Sequence, residues 1–395
     1  MAFEATQRRK TPRVLFIVGT LSLGGAEYLV FEWCSALHKK KIPCAIVCLI
    51  RREGHYLSLV ENMGIRVFEI PQEELSKICF SWKLGALIAS FGASIVHSQC
   101  GWSLIQQALA AKIGRAKAFL LTMHSAYTPG SRTVRLKRKI ANLIAAPFIN
   151  KIIGVSDDVS IHAAEWTGKD SRSIVTIRNG IDLSAFDTCR SKRHSMREEL
   201  GIADDVPLLV NVANLTAQKD HATLFKAFKI VLDRWPLTHL VIVGDGHLHK
   251  TLAQLSLDLK ISKSLTFVGH RTDVPAILGA GDVFVLSSVR EGFGLVLVEA
   301  GAASLPVVAT RVGGIPEVVR HEETGLLVPP GDPRKLAECI ELVLSEAEYG
   351  RQMGRAGRRF VTARFGIDHC VSEYIALYKE LLGKEWEILD DKGTK

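Results

Sequence analysis

Short apolar runs alternate with longer amphipathic segments along nearly the whole chain. This alternation is typical of βαβ units, whose parallel strands are buried on both faces of a sheet. Helices are predicted between the runs, for example at residues 222–234 and 333–344. The apolar runs predict strands at residues 14–18, 45–49, 66–70, 94–97, 119–122, 152–155, 174–177, 208–213, 240–243, 265–268, 283–286, 307–309 and 326–328.

A polar, basic segment that begins at Asp187 interrupts the pattern. Such a segment favours a boundary between domains. We therefore predict an α/β protein of the GT-B type, with two doubly wound, Rossmann-like domains facing a central cleft. The predicted parts are a first domain at 1–186, a linker at 187–200, a second domain at 201–368, and a C-terminal helix and tail at 369–395. The apolar stripe of that last helix predicts that it packs back on the first domain.

Composition narrows the class of protein. The chain has 395 residues, 47% of them hydrophobic, and it contains no uninterrupted apolar stretch long enough to span a bilayer and no recognisable secretion signal. The eight cysteines form no CxxC pair, which predicts free thiols and a cytoplasmic location. The net charge is +9, and residues 101–150 hold eight Lys or Arg but no Asp or Glu. The positive charge is thus concentrated in the first domain.

A glycine pair follows the first predicted strand. Gly24 and Gly25 stand just before a predicted helix. Glycines allow the backbone to approach a ligand closely, and the start of a helix offers free N–H groups to an anion such as a phosphate. The spacing matches neither common nucleotide-binding glycine motif, and an ordinary structural turn is the alternative.

A second glycine-containing segment follows the strand at 283–286. The backbone N–H groups of Phe293, Gly294 and Leu295 are candidates for binding an anion at a helix start. Glu299, further into this helix, suits hydrogen bonding to a vicinal diol such as a ribose. The alternative is that Glu291 is a capping residue and Glu299 forms a helix ion pair.

Three further positions carry weaker signals. Lys219, on the loop after the strand at 208–213, is a point charge suited to a diphosphate, although most such lysines are solvated surface residues. His97 and His124 each lie at the carboxyl end of a predicted strand. Either histidine is a candidate hydrogen-bond donor to a sugar hydroxyl, or an ordinary core or surface residue.

Taken together, these residues resemble a retaining GT-B glycosyltransferase of glycosyltransferase family four. The most specific match is the spacing of Glu291 and Glu299 in Glu-Gly-Phe-Gly-Leu-Val-Leu-Val-Glu, which is the family's E-x7-E motif. Weaker matches are the segment from Ala309 to Glu317, the segment from Thr324 to Asp332, and the loop Gly24-Gly25-Ala26-Glu27. The resemblance covers nearly the whole chain.

The resemblance implies a nucleotide-sugar donor, UDP- or GDP-linked, bound mainly by the second domain, and an acceptor bound mainly by the first. It implies that Glu299 binds the ribose, Glu291 lies by the donor sugar, Lys219 neutralises the phosphates, and His124 contacts the transferred sugar. Catalytic roles therefore fall to Glu291, Lys219 and His124. The donor-binding residues would be Gly24, Gly25, Asn214, Lys219, Arg290, Phe293, Gly294, Leu295 and Glu299.

Asn214 departs from the family pattern, in which an arginine is common. An amide cannot form the charged, bidentate contact to phosphate that a guanidinium makes. More of the diphosphate charge must then fall on Lys219, on backbone N–H groups or on Arg290.

The implied activity is transfer of a sugar, with retention of configuration, to a glycan, lipid-linked or small-molecule acceptor in cell-surface polysaccharide or glycoconjugate biosynthesis. No DxD-like ligand set calls for a metal, and no cofactor is expected beside the co-substrate. The alternatives are a nucleotide-sugar 2-epimerase, a disaccharide phosphorylase, or a non-catalytic nucleotide-sugar-binding protein.

The basic stretch of the first domain predicts a helix at 131–144 with basic and apolar faces. Such a helix suits an anionic membrane surface and would place the protein at the inner face of the membrane. A solvated basic face or a site for a phosphorylated acceptor is the alternative, and the absence of a nucleic-acid-binding motif disfavours nucleic acid. The candidate contact residues are Arg132, Arg135, Lys137, Arg138 and Lys139.

Overall fold

The computed structural model describes residues 12–22, 24–126 and 132–386. The chain divides into two compact units. Unit 1 consists of Met1–Ile181 together with Ile367–Lys395, and unit 2 of Asp182–Gly366.

Unit 1 is built on a seven-stranded sheet in which all neighbouring strands are parallel. The strand order is β3-β2-β1-β4-β5-β6-β7. The chain thus leaves β1 toward one edge of the sheet and returns to the other side of β1 at β4, so the strand order reverses between β1 and β4. The strands are β1 (Val14–Val18), β2 (Cys44–Cys48), β3 (Arg66–Glu69), β4 (Ile95–Ser98), β5 (Ala118–Met123), β6 (Lys151–Gly154) and β7 (Ile174–Thr176).

Helices connect these strands and cover the sheet. Their apolar side chains join those of the strands in a core that includes Leu15, Leu84 and Ile152. Burial of apolar area in this core is the main stabilising contribution to the unit. The helices are α1 (Gly25–Lys39), α2 (His55–Asn62), α3 (Lys77–Phe91), α4 (Leu104–Ile113), α5 (Arg132–Ala145) and α6 (Asp157–Thr167).

Unit 2 repeats this plan with a six-stranded parallel sheet of order β10-β9-β8-β11-β12-β13. Here the strand order reverses between β8 and β11. The strands are β8 (Leu208–Val212), β9 (His239–Val243), β10 (Leu265–Gly269), β11 (Val283–Leu286), β12 (Val307–Thr310) and β13 (Gly325–Val328). The helices are α7 (Arg193–Leu200), α8 (His221–Arg234), α9 (His249–Asp258), α10 (Val274–Ala280), α11 (Leu295–Ala302), α12 (Ile315–Val318), α13 (Pro333–Ser345) and α14 (Ala347–Arg364).

The predicted fold class is confirmed. Every strand predicted from the apolar runs is present, and each end lies within one residue of its predicted position. The reason is that parallel strands buried on both faces form uninterrupted apolar runs, which stand out from the amphipathic helices.

The last helix, α15 (Ile367–Leu382), belongs to unit 1, as the apolar stripe predicted. Val371, Tyr374 and Tyr378 on this stripe are buried. The Tyr378 hydroxyl lies 2.7 Å from His97 Nδ1, a buried atom at the end of β4. The helix therefore completes the core of unit 1.

Residues 187–200, predicted as a linker, are mostly helical and pack on unit 2. Arg193 and Arg197, one helical turn apart, bind the two carboxylate oxygens of Asp282 at 2.6 and 2.7 Å. Arg197 is fully buried and also donates to the carbonyl of Ala280 at the end of α10. The arginines that made the segment look like a boundary between domains are structural, because they satisfy carbonyl groups at a helix end.

None of the described helices is both long enough and apolar enough to cross a bilayer.

Candidate active site

The candidate residues of unit 2 lie at the carboxyl ends of β8 and β11, where the strand order reverses. In open parallel sheets this position forms a crevice in which ligands bind. The loop after β8 carries Asn214 and Lys219, and the loop after β11 carries Arg290, Glu291 and the start of α11. Two segments far apart in the sequence thus meet at one edge of the sheet.

Lys219 and Glu291 form an ion pair between these two loops. Lys219 Nζ lies 2.9 Å from Glu291 Oε1 and 2.8 Å from Oε2. Their side chains are only 19% and 11% exposed. Removing such a pair from bulk water strengthens its attraction and leaves a high cost if either partner is lost. Both charges are therefore held at one edge of the sheet.

Ser287 fixes the backbone beneath this pair. Its buried hydroxyl lies 2.9 Å from the carbonyl oxygens of both Lys219 and Asp220. Gln218 adds two contacts, since its carbonyl accepts from Val289 N at 2.9 Å and its Nε2 donates to the Arg290 carbonyl at 3.0 Å. Sequence reasoning missed Ser287 and Gln218, because one small or polar residue beside a strand end carries no recognisable pattern.

The start of α11 is open. Gly294 is its N-cap residue with φ +88°, and no side chain caps the helix there. Phe293 is buried, with its ring centroid 5.4 Å from that of Phe365 in an edge-on arrangement. A helix start without a side-chain cap leaves N–H groups and the positive end of the helix dipole available to an anion.

Glu299 lies in the second turn of α11. Burial raises the pKa of its carboxyl group to about 7, because a low-dielectric environment penalises the charged form. Within the described part of the chain, burial is the only cause of this pKa shift, and no hydrogen bond or charged neighbour lowers the pKa. The group is thus held in the protein without a partner that would stabilise its charge.

Gly313 supports the loop that carries Glu291. Its φ is +49°, and a Cβ atom there would overlap the carbonyl oxygen of Glu291. The next residue, Gly314, donates its backbone N–H to that same carbonyl at 3.1 Å. The segment from Ala309 to Glu317, noted above as a sequence motif, therefore holds the Glu291 backbone in place.

We expect Gly313→Ala to move the Glu291 loop and to destabilise unit 2 by about 2–4 kcal/mol, because backbone strain and steric overlap add. Gly331→Ala is the matched control, since Gly331 has φ +72° but open space where the Cβ would lie. That variant should lose only about 1–2 kcal/mol. Urea denaturation of both variants measures the difference, and equal losses would contradict the role assigned to the close approach.

Asn214 and Arg290 are exposed at the same sheet edge. The loop after β9 approaches the Asn214 loop so closely that a Cβ atom on Gly244 would overlap the carbonyl of Ala213. A Cβ atom on Gly246 would likewise overlap the carbonyl oxygen of Leu215. Their lack of a side chain is what allows the two loops to touch.

In unit 1, the equivalent sheet edge carries Gly24, Gly25 and His124. Gly24 caps α1, and a Cβ atom there would overlap Glu27 Oε2, whereas a Cβ on Gly25 would meet nothing within 4 Å. Burial raises the pKa of the Glu27 carboxyl group. The space above Gly24 is thus occupied by a partly buried carboxyl group.

His124 follows β5, and its Nε2 lies 2.9 Å from Gln99 Oε1. Its ring stacks on Trp33 with the centroids 6.3 Å apart. Burial lowers the pKa of His124 to about 4, so the imidazole is neutral at neutral pH. Since the Gln99 oxygen can only accept, His124 donates from Nε2 in this contact.

His97 has a structural role. Both ring nitrogens are occupied, with Nε2 2.7 Å from Thr122 Oγ1 and Nδ1 2.7 Å from the Tyr378 hydroxyl. The side chain is fully buried, and burial lowers its pKa to about 3. Of the two histidines at strand ends, His124 is the one that hydrogen-bonds to Gln99, which lines the unit 1 cavity described next.

A cavity of about 280 Å³ opens at the reversal of strand order in unit 1. Its lining includes Gly19, Thr20, Glu27, Gln99 and Trp102. The Trp102 side chain is 47% exposed and offers an aromatic face. The cavity therefore combines a flat apolar surface with a carboxyl group and a side-chain amide, a composition common in small-molecule sites.

Across the described ranges, no three His, Cys, Asp or Glu side chains are grouped closely enough to hold a metal ion.

Two family models match the chain and together span most of it. The model described as Glycosyltransferase Family 4 matches residues 23–185, and the model described as Glycosyl transferases group 1 matches residues 192–360. The chain belongs to glycosyltransferase family four.

Two relatives of this family-four glycosyltransferase have names that state a function. It is 33% identical to the N-acetyl-alpha-D-glucosaminyl L-malate synthase of Bacillus anthracis, over 58% of this chain and 57% of that protein. It is 25% identical to a lipopolysaccharide core biosynthesis glycosyltransferase of Rhizobium meliloti, over 91% and 96%. The match to the Bacillus synthase thus spans little more than half of that protein.

Solved structures confirm the fold of the glycosyltransferase. The Anabaena protein HepE, crystallised with UDP and glucose, superposes with a TM-score of 0.84 at 22% identity, over 93% of this chain and 100% of that one.

Proposed function

We propose that this glycosyltransferase transfers a sugar from a UDP- or GDP-sugar to a saccharide or lipid-linked acceptor in the synthesis of cell-surface polysaccharides or glycoconjugates. The observation that carries the proposal is the placement of the Lys219–Glu291 pair beside the start of α11. A cation, a carboxylate and a free helix start in one crevice fit a sugar diphosphate.

The names of relatives support this substrate class. An Escherichia coli relative, 29% identical over 78% of this chain and 82% of its own length, is named a UDP-Gal:alpha-D-GlcNAc-diphosphoundecaprenol alpha-1,3-galactosyltransferase. A Mycobacterium tuberculosis relative, 32% identical over 48% and 51%, is named a GDP-mannose-dependent mannosyltransferase. Both UDP and GDP therefore remain in the proposal.

In the proposed step, the bond between the anomeric carbon and the diphosphate oxygen breaks, and its electron pair leaves with the nucleoside diphosphate. An acceptor hydroxyl oxygen bonds to the anomeric carbon, and its proton passes to a phosphate oxygen. Retention of configuration requires the acceptor to approach on the face that the leaving group occupies. This step uses neither a metal nor a redox cofactor.

Donors aimed at the departing diphosphate would supply the largest catalytic contribution. We assign this role to Lys219 and to the N–H groups of Phe293, Gly294 and Leu295, with Asn214 and Arg290 as additional donors at the rim. Glu291 would then turn from Lys219 toward hydroxyl groups of the donor sugar. Glu299, whose carboxyl group has no partner within the described part of the chain, would accept hydrogen bonds from the ribose diol.

Unit 1 would hold the acceptor. Its cavity beside Trp102, Glu27 and Gln99 offers a ring face and polar groups, which suits a saccharide. His124 would contact the transferred sugar as a neutral imidazole, and Gly24 and Gly25 would lie by the donor phosphates. A location at the inner face of the membrane fits a lipid-linked acceptor.

The proposal is tested by combining a thermal-shift screen with a turnover assay. We expect one UDP- or GDP-sugar at about 100 times its Kd to stabilise the protein by about 2.7 kcal/mol. That sugar should release nucleoside diphosphate only when a saccharide or lipid-linked acceptor is added. Binding without acceptor-dependent release, or interconversion to an epimeric nucleotide sugar, would reject the assigned reaction.

A further inference from the structure

Helix α5 carries a row of apolar side chains that face solvent. Leu136, Ile140, Leu143 and Ile144 share one face of the helix, because they are spaced at i, i+4, i+7 and i+8. They are 59%, 48%, 45% and 52% exposed, whereas Ala145, on the opposite face, is fully buried. An ordinary surface helix has the reverse arrangement, with its apolar face toward the core.

Basic side chains border this apolar face. An α-helix turns by about 100° per residue. This rotation places basic residues on both sides of the apolar face, with Arg132, Arg135 and Lys139 on one side and Lys137 on the other. All four are exposed. The side chain of Arg138, named above as a further candidate contact, lies outside the described part of the structure. The apolar face is thus framed by positive charge.

The surface continues beyond the helix. Phe148, in the turn Ala146–Phe148 that follows α5, is 48% exposed, and Lys112 Nζ of the neighbouring α4 lies 5.0 Å from the centroid of its ring. The sequence contains no Asp or Glu at all from 75 to 156. No acidic side chain of α4 or α5 offsets the positive charge.

We propose that this surface, the α5 patch (Leu136, Ile140, Leu143, Ile144 and Phe148 with their basic neighbours), binds an anionic lipid bilayer. The helix would lie in the plane of the interface, with its apolar face among the acyl chains and its Lys and Arg side chains at the headgroups. A soluble phosphorylated acceptor would account for the charge but not for five exposed apolar side chains. A second copy of the chain would bring two strongly basic surfaces together.

Binding to a bilayer adds a partner to the proposed function. It depends on the proposed function only for its biological purpose, which is access to a lipid-linked acceptor. Seven residues, 125–131, separate His124 from the start of α5. The helix that would bind the bilayer is thus close in sequence to His124, in the unit to which the acceptor is assigned. A lipid-linked acceptor could then be reached without leaving the membrane surface.

The test is co-sedimentation of the full-length protein with vesicles of phosphatidylcholine containing about 30% phosphatidylglycerol, and with pure phosphatidylcholine vesicles. We expect binding only to the anionic vesicles. Leu136→Ser with Ile140→Ser should weaken it at least about tenfold, because less apolar area enters the bilayer. Arg135→Glu with Lys139→Glu should weaken it by about fivefold for each unit of charge lost.

Leu237→Ser with Leu257→Ser is the matched control, since these leucines of unit 2 are 71% and 57% exposed and lie outside the α5 patch. This control should bind like the wild type. Thermal unfolding should be unchanged in all three variants, because every substituted side chain is exposed. Transfer to a water-soluble acceptor should also be unchanged, so that loss of membrane binding is distinguished from loss of the proposed activity.

Three outcomes would overturn the inference. The first is no binding to anionic vesicles at low salt. In the second, the charge reversals abolish binding but the serine substitutions leave it intact, which would make the surface a site for soluble anions. In the third, the serine substitutions convert a dimer into a monomer in analytical ultracentrifugation, which would make it an interface between copies of the chain.

Discussion

Lys219→Ala is expected to lower kcat by about 10²–10³-fold, which is typical of losing one preorganised donor to a developing negative charge. The side chain is held at the sheet edge by Glu291 and by the Ser287 contact with its carbonyl. When the diphosphate departs, its charge would meet a cation that needs no reorganisation. Release of nucleoside diphosphate in the presence of acceptor measures the effect.

Two variants separate catalysis from support of the fold. Lys219→Ala leaves Glu291 mostly buried without its partner, so part of any loss is structural. Lys219→Ala with Glu291→Gln removes that unpaired charge and should recover stability but not turnover. Lys335→Ala, which breaks the exposed pair with Glu338, is the control and should change neither property. Wild-type turnover in the double variant would remove Lys219 from the catalytic assignment.

Nucleotide-sugar binding is expected to weaken about tenfold between pH 8 and pH 6 through Glu299. Burial raises the pKa of this carboxyl group to about 7 in the free protein, and only the ionised form accepts two hydrogen bonds from a ribose diol. Below that pKa, each unit of pH costs one factor of ten in affinity, because the proton must first be removed. Calorimetry with an intact nucleotide sugar avoids titration of a terminal phosphate.

Glu299→Gln is the control variant. It also tests how the stability of the wild type depends on pH through the Glu299 carboxyl group. A carboxyl group whose pKa is raised on folding binds protons more tightly in the folded protein. Its contribution to stability is therefore fully present below the unfolded pKa near 4.5 and is lost as the pH rises toward 7. Glu299→Gln should be more stable than the wild type at pH 8, while binding donor weakly and without pH dependence. An unaltered affinity at pH 8 would remove Glu299 from the donor site.

The relative placement of the candidate residues was predictable from the sequence only where they lie within one local pattern. The spacing of Glu291 and Glu299 and the glycine at 294 lie within one loop and one helix. The functional assignment of these residues remains a proposal. The direct contact of Lys219 with Glu291 was not predictable, because the two are 72 positions apart in the sequence and no periodic pattern relates them.

Composition was misleading where a polar residue has a buried partner. The segment 187–200 was predicted to be a linker because it is polar and basic, yet Arg197 is buried against Asp282 and helix-end carbonyls. His97 and His124 are equivalent in the sequence, each at a strand end. Only the arrival of α15, with Tyr378 against His97, makes one of them part of the core.

By itself, the sequence determined the two parallel α/β sheets, the family, and the concentration of positive charge in residues 101–150. These properties follow from local periodicity, from motifs and from counting. The tertiary structure alone decided the pairing of Lys219 with Glu291, the burial of Arg197, and the direction of the apolar face of α5. The physical reason is that periodicity shows that a helix has an apolar face, whereas neighbouring elements decide whether that face is covered.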